Sequence, residues 1–249
     1  MKSSGLGDNL YIAGFNASGD IQALGNIGGG PALLNMTGID KSAYERIGGL
    51  RSGQFEMTTF FNHVAVTGGL HEKLAALPTA DVILTYCRGT TLGDPAASIV
   101  AKQINYDPTR ADDGMLTFAV SAQSNGYGIE WGQQLTAGLR TDTAATNGTG
   151  IDTTASASFG GQAYLHVTAM TGTDVTVKIQ DSADNATFAD VAGFSFTQVT
   201  AAPASERIAL GNTATLRRYL RASTVTTGGF TSVTFSVNVI KNSIAGQVF

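Results

Sequence analysis

The stretch Val233-Thr234-Phe235-Ser236-Val237-Asn238-Val239 alternates apolar and polar residues without a break. Successive side chains of a β-strand point to opposite faces, so this period of two places four apolar side chains on one face of a sheet. Similar short runs occupy residues 163–168, 175–180, 194–200 and 216–223, each bounded by Gly, Asp, Asn or Thr. About seven short strands over ~90 residues predict an antiparallel β-sandwich.

Further strands are predicted before this region, at residues 10–13, 81–87, 97–104 and 115–123. The run from Phe55 to Phe61 places Phe55, Met57, Thr59 and Phe61 on one face, with Glu56, Thr58 and Phe60 on the other. Apolar groups on both faces indicate a strand with one side against a wet or interface environment.

One short helix is predicted beside these strands. Leu70, Leu74 and Leu77 recur at i, i+4 and i+7, Thr67 is a candidate cap, and Pro78 is a candidate end. A few strands with one helix give a mainly β architecture with an α+β element.

The segment from residue 24 to residue 52 is dense in glycine, including the run Gly28-Gly29-Gly30-Pro31. We expect a long irregular loop here. Such loops are uncommon inside a compact domain and usually have a function or a partner.

Composition and charge divide the chain. Only 14% of residues are charged and the net charge is −4, against about 25% charged in an average globular protein. Residues 1–150 hold 9 Lys and Arg against 13 Asp and Glu, whereas residues 151–249 hold 6 against 6. Residues 141–160 are rich in Thr, Ala, Ser and Gly, which is typical of a flexible connection. We therefore predict a domain at 1–145, a linker at 146–154 and a second domain at 155–249.

Several classes of protein are disfavoured. Cys87 is the only cysteine, which rules out an intramolecular disulfide, and its apolar flanks favour a buried thiol. The start Met1-Lys2-Ser3-Ser4-Gly5 has no apolar region of a signal peptide, and no apolar run approaches the ~20 residues of a membrane span. The sequence also lacks a basic footprint for nucleic acid. We expect a soluble protein made in a cytoplasm, with no membrane partner.

Catalytic and ligand motifs are missing as well. His63, His71 and His166 have no metal-ligand spacing, with His71 expected on a solvated helix face and His166 on one face of a strand. There is no Gly-x-Ser-x-Gly elbow and no P-loop lysine after the glycines. We predict a protein that is not an enzyme, with no catalytic, cofactor or metal residues.

Three groups of residues and Trp131 each have a functional interpretation and a structural one, and the structural one is favoured. Turn formation is favoured over calcium binding for Asp107, Asp112 and Asp113, and for Asp181, Asp184 and Asn185. An exposed or interface face is favoured for Arg217, Arg218 and Arg221. Packing is favoured for Trp131.

The order and spacing of several strings resemble major tail proteins of long-tailed, siphovirus-like actinobacterial phages. No single string is specific, but together they extend over essentially the whole chain. The strings are Gly28 to Leu34, Thr37 to Ala43, Glu45 to Gly53, Arg88 to Ala96, Lys102 to Arg110, Gly126 to Gly132 and Val177 to Asn185.

The resemblance implies a tail tube subunit of the virion, assembled in the host bacterial cytoplasm. It implies a β-sandwich or barrel with one flanking helix at residues 1–145, which forms hexameric rings stacked into a tube. An Ig-like or jelly-roll-like β-sandwich at 155–249 would decorate the outside. The implied partners are copies of the chain itself, a tape measure protein in the lumen, and tail terminator and tail tip proteins. Viral double-stranded DNA would pass through the lumen without specific binding during genome ejection.

Two functional hypotheses follow from the residues themselves. An acidic inner domain would line a DNA channel without sticking, because like charge repels phosphate. The alternative is a carbohydrate-binding β-sandwich surface protein in which Tyr164, Phe188 or Tyr219 stacks on sugars.

Overall fold

The computed structural model describes residues 4–63, 70–77 and 79–244. With 57% of residues in strands and 3% in helices, it confirms the predicted mainly β class with one short helix. A 3-10 turn covers Ser18–Asp20 and α1 covers Leu70–Ala75. The strands are β1 Asn9–Ile12, β2 Phe15–Asn16, β3 Ile21–Asn35, β4 Arg46–Phe60, β5 Val82–Cys87, β6 Pro95–Arg110, β7 Leu116–Ser124, β8 Glu130–Gln134, β9 Arg140–Asp142, β10 Ile151–Asp152, β11 Gly161–Gly172, β12 Thr176–Ser182, β13 Ala189–Ser195, β14 Ala204–Ala209, β15 Tyr219–Val225 and β16 Phe230–Lys241.

The chain forms two compact units, each built from separate stretches of sequence. Unit 1 comprises Met1–Gly19, Ile83–Ser98 and Glu130–Phe249, and unit 2 comprises Asp20–Val82 and Ile99–Ile129. These units differ from the predicted ranges 1–145 and 155–249, because residues of the N-terminal part complete a sheet of unit 1. The predicted division into a ring-forming domain and an outward sandwich stays a prediction.

Unit 1 contains the predicted C-terminal β-sandwich. One sheet has the order β14-β11-β16-β8-β6-β5-β1-β2, and the other has the order β10-β15-β12-β13. Val233, Phe235, Val237 and Val239 of β16 are all buried in the apolar core between them. The apolar face that the alternation in β16 predicts therefore packs in this core.

Polar side chains fill another buried part of unit 1. The His166 ring is buried, its Nδ1 accepts a bond from the Gly14 N–H (3.2 Å), and its Nε2 lies 2.9 Å from Thr85 Oγ1. Since Nδ1 accepts, the neutral ring carries its proton on Nε2. Burial lowers the pKa of His166 to about 3.

A buried ion pair joins β14 to β8 in unit 1. Arg207 on β14 contacts Glu130 on β8 through Nη2–Oε1 (2.9 Å) and Nε–Oε2 (3.0 Å), and the Tyr164 hydroxyl donates to the same carboxylate. Both charged side chains are over nine-tenths buried. Burial raises the pKa of Tyr164 far above its usual range. Removal of one partner would leave an uncompensated buried charge.

Unit 2 is an antiparallel sheet in which β4 pairs with β3 and β7, and β7 pairs with β6. Phe55, Met57 and Thr59 of β4 are buried, as predicted, and so are Leu70 and Leu74 of α1. Phe61 is exposed because β4 ends one residue earlier. The proposed helix cap Thr67 and the proposed helix end Pro78 lie outside the described residues.

The structure adds detail to two local predictions, of which the linker at 146–154 stays a prediction. A strand is predicted at 194–200, whereas β13 covers Ala189–Ser195, and Val199 beyond its end forms an isolated bridge with Val175. The composition of residues 146–154 indicated a loosely held linker, yet this segment bonds along β15, with Gly148 N donating to Ala222 O (2.9 Å) and Thr146 N donating to Thr224 Oγ1 (2.9 Å). Small polar residues suit a strand edge as well as a free connection.

Candidate assembly surface

The glycine-dense segment is a long β-hairpin, not the irregular loop expected from its composition. β3 and β4 remain paired from Ile21↔Thr59 to Asn35↔Arg46. β4 pairs with β7 only from Gln54 onward. Residues 30–52, called the arm below, therefore have no strand partner except each other within the described part of the chain.

Glycines permit the close approach of β3 and β4 at the base of the arm. Gly29 lies opposite Gly53, and a Cβ on Gly29 would overlap the Ser52 carbonyl oxygen and lie 2.5 Å from the Gly53 Cα. Glycine is needed wherever two backbones approach this closely. The close approach of two strands thus explains glycines whose number had suggested an irregular loop.

The arm ends in an ordered turn. Met36 N donates to Glu45 O (2.9 Å), and Glu45 N donates to Thr37 Oγ1 (2.9 Å). The Thr37 hydroxyl donates to Asn35 Oδ1 (2.5 Å). Backbone bonding is satisfied locally, so the arm keeps its shape without packing on a core.

Large apolar side chains of the arm face solvent. Leu33 and Leu34 are consecutive and therefore point to opposite faces of the hairpin, so both faces of the arm carry exposed leucine. Leu50 is 90% exposed and Leu33 is 71% exposed. The full set of exposed large apolar residues on the arm is Leu33, Leu34, Met36, Ile39, Tyr44, Ile47 and Leu50. Exposed large apolar side chains in this number on one segment are typical of a protein-interaction site.

The arm carries more cationic than anionic side chains. Lys41, Arg46 and Arg51 face Asp40 and Glu45, and all five are exposed. Lys41 Nζ lies 3.5 Å from Glu45 Oε1, and the Arg46 guanidinium lies 5.0 Å from the centre of the Tyr44 ring. Exposed pairs of this kind contribute little to stability.

The face of the unit 2 sheet opposite its buried residues is polar. The pairings Glu56↔Ser121 and Asn105↔Ser121 place three polar side chains in one row, and Thr58 and Asp107 flank Ala119 in the next row. Glu56 and Asp107 are exposed carboxylates on this face. Lys102 on β6 is paired with Asp81 at 2.8 Å. The face is therefore rich in small polar groups and locally acidic.

The histidines do not form a metal centre among the described residues, where no group of three His, Cys, Asp or Glu side chains is suited to a metal. His63 contacts the Glu72 carboxylate. His71, expected to be solvated, is half-buried with its Nδ1 3.0 Å from the Tyr106 hydroxyl. The expectation of no catalytic, cofactor or metal residue stays a prediction.

The lone cysteine is buried inside unit 1. Burial raises the pKa of the Cys87 thiol to about 12. The thiol is therefore protonated at neutral pH and poorly reactive. No described helix is both long enough and apolar enough to cross a bilayer.

The two aspartate groups contribute to turns and ion pairs. Asp113 Oδ1 accepts from Met115 N (2.9 Å), and Asp107 Oδ2 accepts from Asn105 Nδ2 (2.8 Å). Asp184 Oδ1 accepts from the N–H groups of Ala186 and Thr187, and these bonds lower its pKa to about 2. Asp112, Asp113, Asp184 and Asn185 lie in turns, as predicted, whereas Asp107 lies in β6 and Asp181 lies in β12.

The arginines of the C-terminal region have local partners. Arg217 pairs with Asp181 at 2.6 Å, and Arg218 pairs with Asp152 at 2.6 Å. Trp131, predicted to be a packing anchor, is instead half-exposed on β8.

One of the three aromatic residues proposed for sugar stacking is buried. Tyr164 is fully buried, which makes its predicted exposure wrong. The Arg221 guanidinium lies 4.1 Å from the centre of the Phe188 ring, and that of Arg218 lies 5.0 Å from the centre of the Tyr219 ring. Phe188 and Tyr219 are partly exposed, so sugar stacking on these two rings stays a prediction.

Comparison with known proteins gives structural neighbours alone. No family model and no curated protein sequence matches the chain. A chain from the virion of a native gene transfer agent particle shows 11% identity and a TM-score of 0.42, with coverage of 51% of this chain and 98% of that one. The Dit protein of phage SPP1, described as a hub adsorption apparatus protein, shows 11% identity and a TM-score of 0.35, covering 94% and 99%. A chain of the phage p2 baseplate shows 10% identity and a TM-score of 0.38, covering 94% and 98%. At these scores the similarity does not establish a shared fold.

Proposed function

We propose that this protein is a structural, non-enzymatic subunit of a bacteriophage tail that polymerises as stacked hexameric rings into the tail tube. The observation that carries this proposal is the arm, a hairpin with exposed apolar side chains on both faces and no partner among the described residues. The resemblance of the sequence strings to tail tube proteins supplies the class of assembly.

The arm offers enough apolar surface to support association. Full burial of one large apolar side chain contributes about 1.5–3 kcal/mol, so its seven exposed apolar residues together contribute on the order of 10 kcal/mol. The cost of lost freedom on association is about 4–15 kcal/mol. Contacts of the arm alone are comparable with this cost, and additional contacts between copies would make the assembly stable.

The polar face of the unit 2 sheet suits the wall of a channel. Its exposed carboxylates, Glu56 and Asp107, would repel phosphate. Small hydroxyl and amide side chains beside them offer no cationic cluster to hold DNA. In the proposed tube this face lines the lumen, which holds a tape measure protein before DNA passes.

The remaining partners follow from the same class of assembly. Tail terminator and tail tip proteins would cap the two ends of the tube. The protein would be assembled in the host bacterial cytoplasm and located in the tail of the virion.

Negative-stain microscopy of the purified full chain tests the proposal. Rings or hollow tubes are expected, and native mass spectrometry should give a sixfold mass for the ring. The matched control replaces residues 31–51 by a two-residue Asn-Gly turn, which closes β3 and β4 as a short hairpin. This variant should fold and remain unassembled. Dispersed full-length monomers at high concentration would contradict the proposed function.

A further inference from the structure

The smaller sheet of unit 1 carries an arginine that is held in place without a carboxylate. Leu220 and Ala222 of β15 are buried in the core, so Arg221 between them lies on the opposite face, called the outer face below. The other five arginines described in unit 1 each pair with a carboxylate: Arg88, Arg140, Arg207, Arg217 and Arg218. Within the described residues of this unit, Arg221 is the one arginine whose charge has no such partner.

Two contacts fix the Arg221 side chain. Its Nε donates to Oε1 of Gln180 (2.8 Å), which lies directly opposite on β12. Its guanidinium carbon lies 4.1 Å from the centre of the Phe188 ring, a cation–π contact. These contacts use the Nε–H and one face of the guanidinium. No hydrogen bond joins either Nη atom to a residue in the described part of the chain.

The two supporting side chains are themselves held. Phe188 packs against Gly150, where an added Cβ would come within 2.7 Å of the ring carbon Cζ. Gln180 Nε2 donates to Asp190 Oδ1 (2.7 Å), and Asp190 Oδ2 lies 3.0 Å from Lys178 Nζ. The Nη groups of Arg221 are therefore presented in a preorganised position, which reduces the entropy lost when a ligand binds.

The charges around Arg221 leave it uncompensated. Asp190, on the same outer face, is already paired with Lys178, and Asp142 is paired with Arg140 (2.6 Å). The side chain is half-buried. Burial first, and the charge of Arg140 second, lower the pKa of the Arg221 guanidinium. A half-buried cation beside another cation gains stability from an anion more than an exposed one does.

We propose that Arg221 is the centre of a binding site for one oxyanion, a carboxylate or a phosphate group, on the outer face of this sheet. The planar guanidinium presents its two Nη groups as parallel donors, which match two oxygens of such a group. Gln180 and Phe188 are positioning residues, and Lys178 supplies a second cation on the same face. The ligand class is a sugar acid or a phosphate, which share this oxyanion.

Ligand-observed nuclear magnetic resonance on the full chain tests the site, and it suits single subunits and assemblies alike. Saturation transfer to glucuronate measures the carboxylate arm. Broadening of the phosphorus signal of inorganic phosphate measures the phosphate arm, and glucose is the neutral control. We expect binding of glucuronate, of phosphate or of both, and no saturation transfer to glucose at the same concentration.

Variants assign the binding to Arg221. Arg221→Gln should weaken it by at least about tenfold, because the charged donors are lost. Arg221→Lys keeps the charge but loses the planar pair of donors, so binding should fall several-fold. The matched control is Arg218→Gln, which removes a nearby cation that is already paired with Asp152. This control should bind as tightly as the unmodified chain.

The outcomes decide the site without reference to tube assembly. Binding of one anion alone supports the site and identifies its ligand class. Absence of binding by both anions, or equal binding by Arg221→Gln and the unmodified chain, would overturn it. If Arg221→Gln does not fold, unchanged binding by Arg221→Lys would overturn it instead. A failure to form rings or tubes would refute the proposed function and leave this site intact.

Discussion

Leu34 on β3 lies directly opposite Ile47 on β4, and the two side chains remain 50% and 52% exposed although they form a cross-strand pair. Such pairs normally stabilise a sheet by packing on a buried face. Here the pair lies on the arm, and about half of each side chain faces solvent. We expect a second copy of the chain to bury this pair.

Replacement of this pair separates folding from assembly. Leu34→Ser with Ile47→Ser should change the free energy of unfolding by no more than about 0.5 kcal/mol per site, because exposed positions contribute little. Assembly should fall sharply, as measured by sedimentation and microscopy. Ile104→Ser, an equally exposed apolar site on β6, is the control and should assemble normally. Normal assembly of the double variant would remove the arm from the interface.

The glycine at the base of the arm gives a test with a neighbouring control. Gly29→Ala should destabilise the hairpin by about 1–3 kcal/mol, because the added methyl group overlaps the opposite backbone. Gly30→Ala meets no atom within 4 Å and should be tolerated. Hydrogen exchange of arm amides measures the difference. Equal protection in both variants would show that the two strands cross less closely than described.

Acid should destabilise unit 1 through His166. Its pKa is lowered from 6.5 to about 3 by burial, so the unfolded state binds the proton first as pH falls. The free energy of unfolding is therefore unaffected by this group above pH 6.5 and decreases between pH 6.5 and 3. By pH 4.5 the loss reaches roughly 2 to 3 kcal/mol.

Denaturant titrations at pH 7.0 and 4.5 check this expectation. His166→Gln should lower stability at pH 7.0 but show a smaller decrease on acidification than the unmodified chain. Identical pH dependence in His166→Gln and the unmodified chain would exclude His166 as the cause.

The channel hypothesis predicts a charge effect on genome delivery. Glu56→Lys with Asp107→Lys should leave tube assembly intact and slow or stall DNA ejection, because cationic side chains on the proposed wall would hold phosphate. Glu56→Gln with Asp107→Asn is the size-matched control and should have a smaller effect. The rate of DNA ejection from assembled particles is the measurement. An unchanged rate in the lysine variant would show that this face does not line the lumen.

Local alternation was sufficient to predict many elements. Val233 to Val239, Phe55 to Thr59 and the Leu70–Leu74 pair are buried in the pattern that their spacing predicts. Each of these signals depends on a period of 2 or 3.6 residues along a short stretch. Such patterns are visible in the sequence because the preference is local.

The arm shows why composition misled. The density of glycine from residue 24 to residue 53 is typical of a loop. Here, however, Gly29 and Gly53 allow the backbones of two paired strands to approach closely. The unusual length of the segment also indicated a partner, and this stays a prediction, for which its exposed apolar residues are the support. β8, β9, β10 and β14 were also missed, since short strands have too few residues to show a period.

The sequence by itself determined the mainly β class, the facing of the long strands and the lack of any disulfide, because these depend on neighbouring residues or on counting. The tertiary structure alone decided which distant groups meet, such as Glu130 with Arg207 and Gly14 with His166. It also decided that residues 30–52 extend as a paired arm. Strand pairing joins residues far apart in the chain, and no local period specifies which of several similar strands will become neighbours.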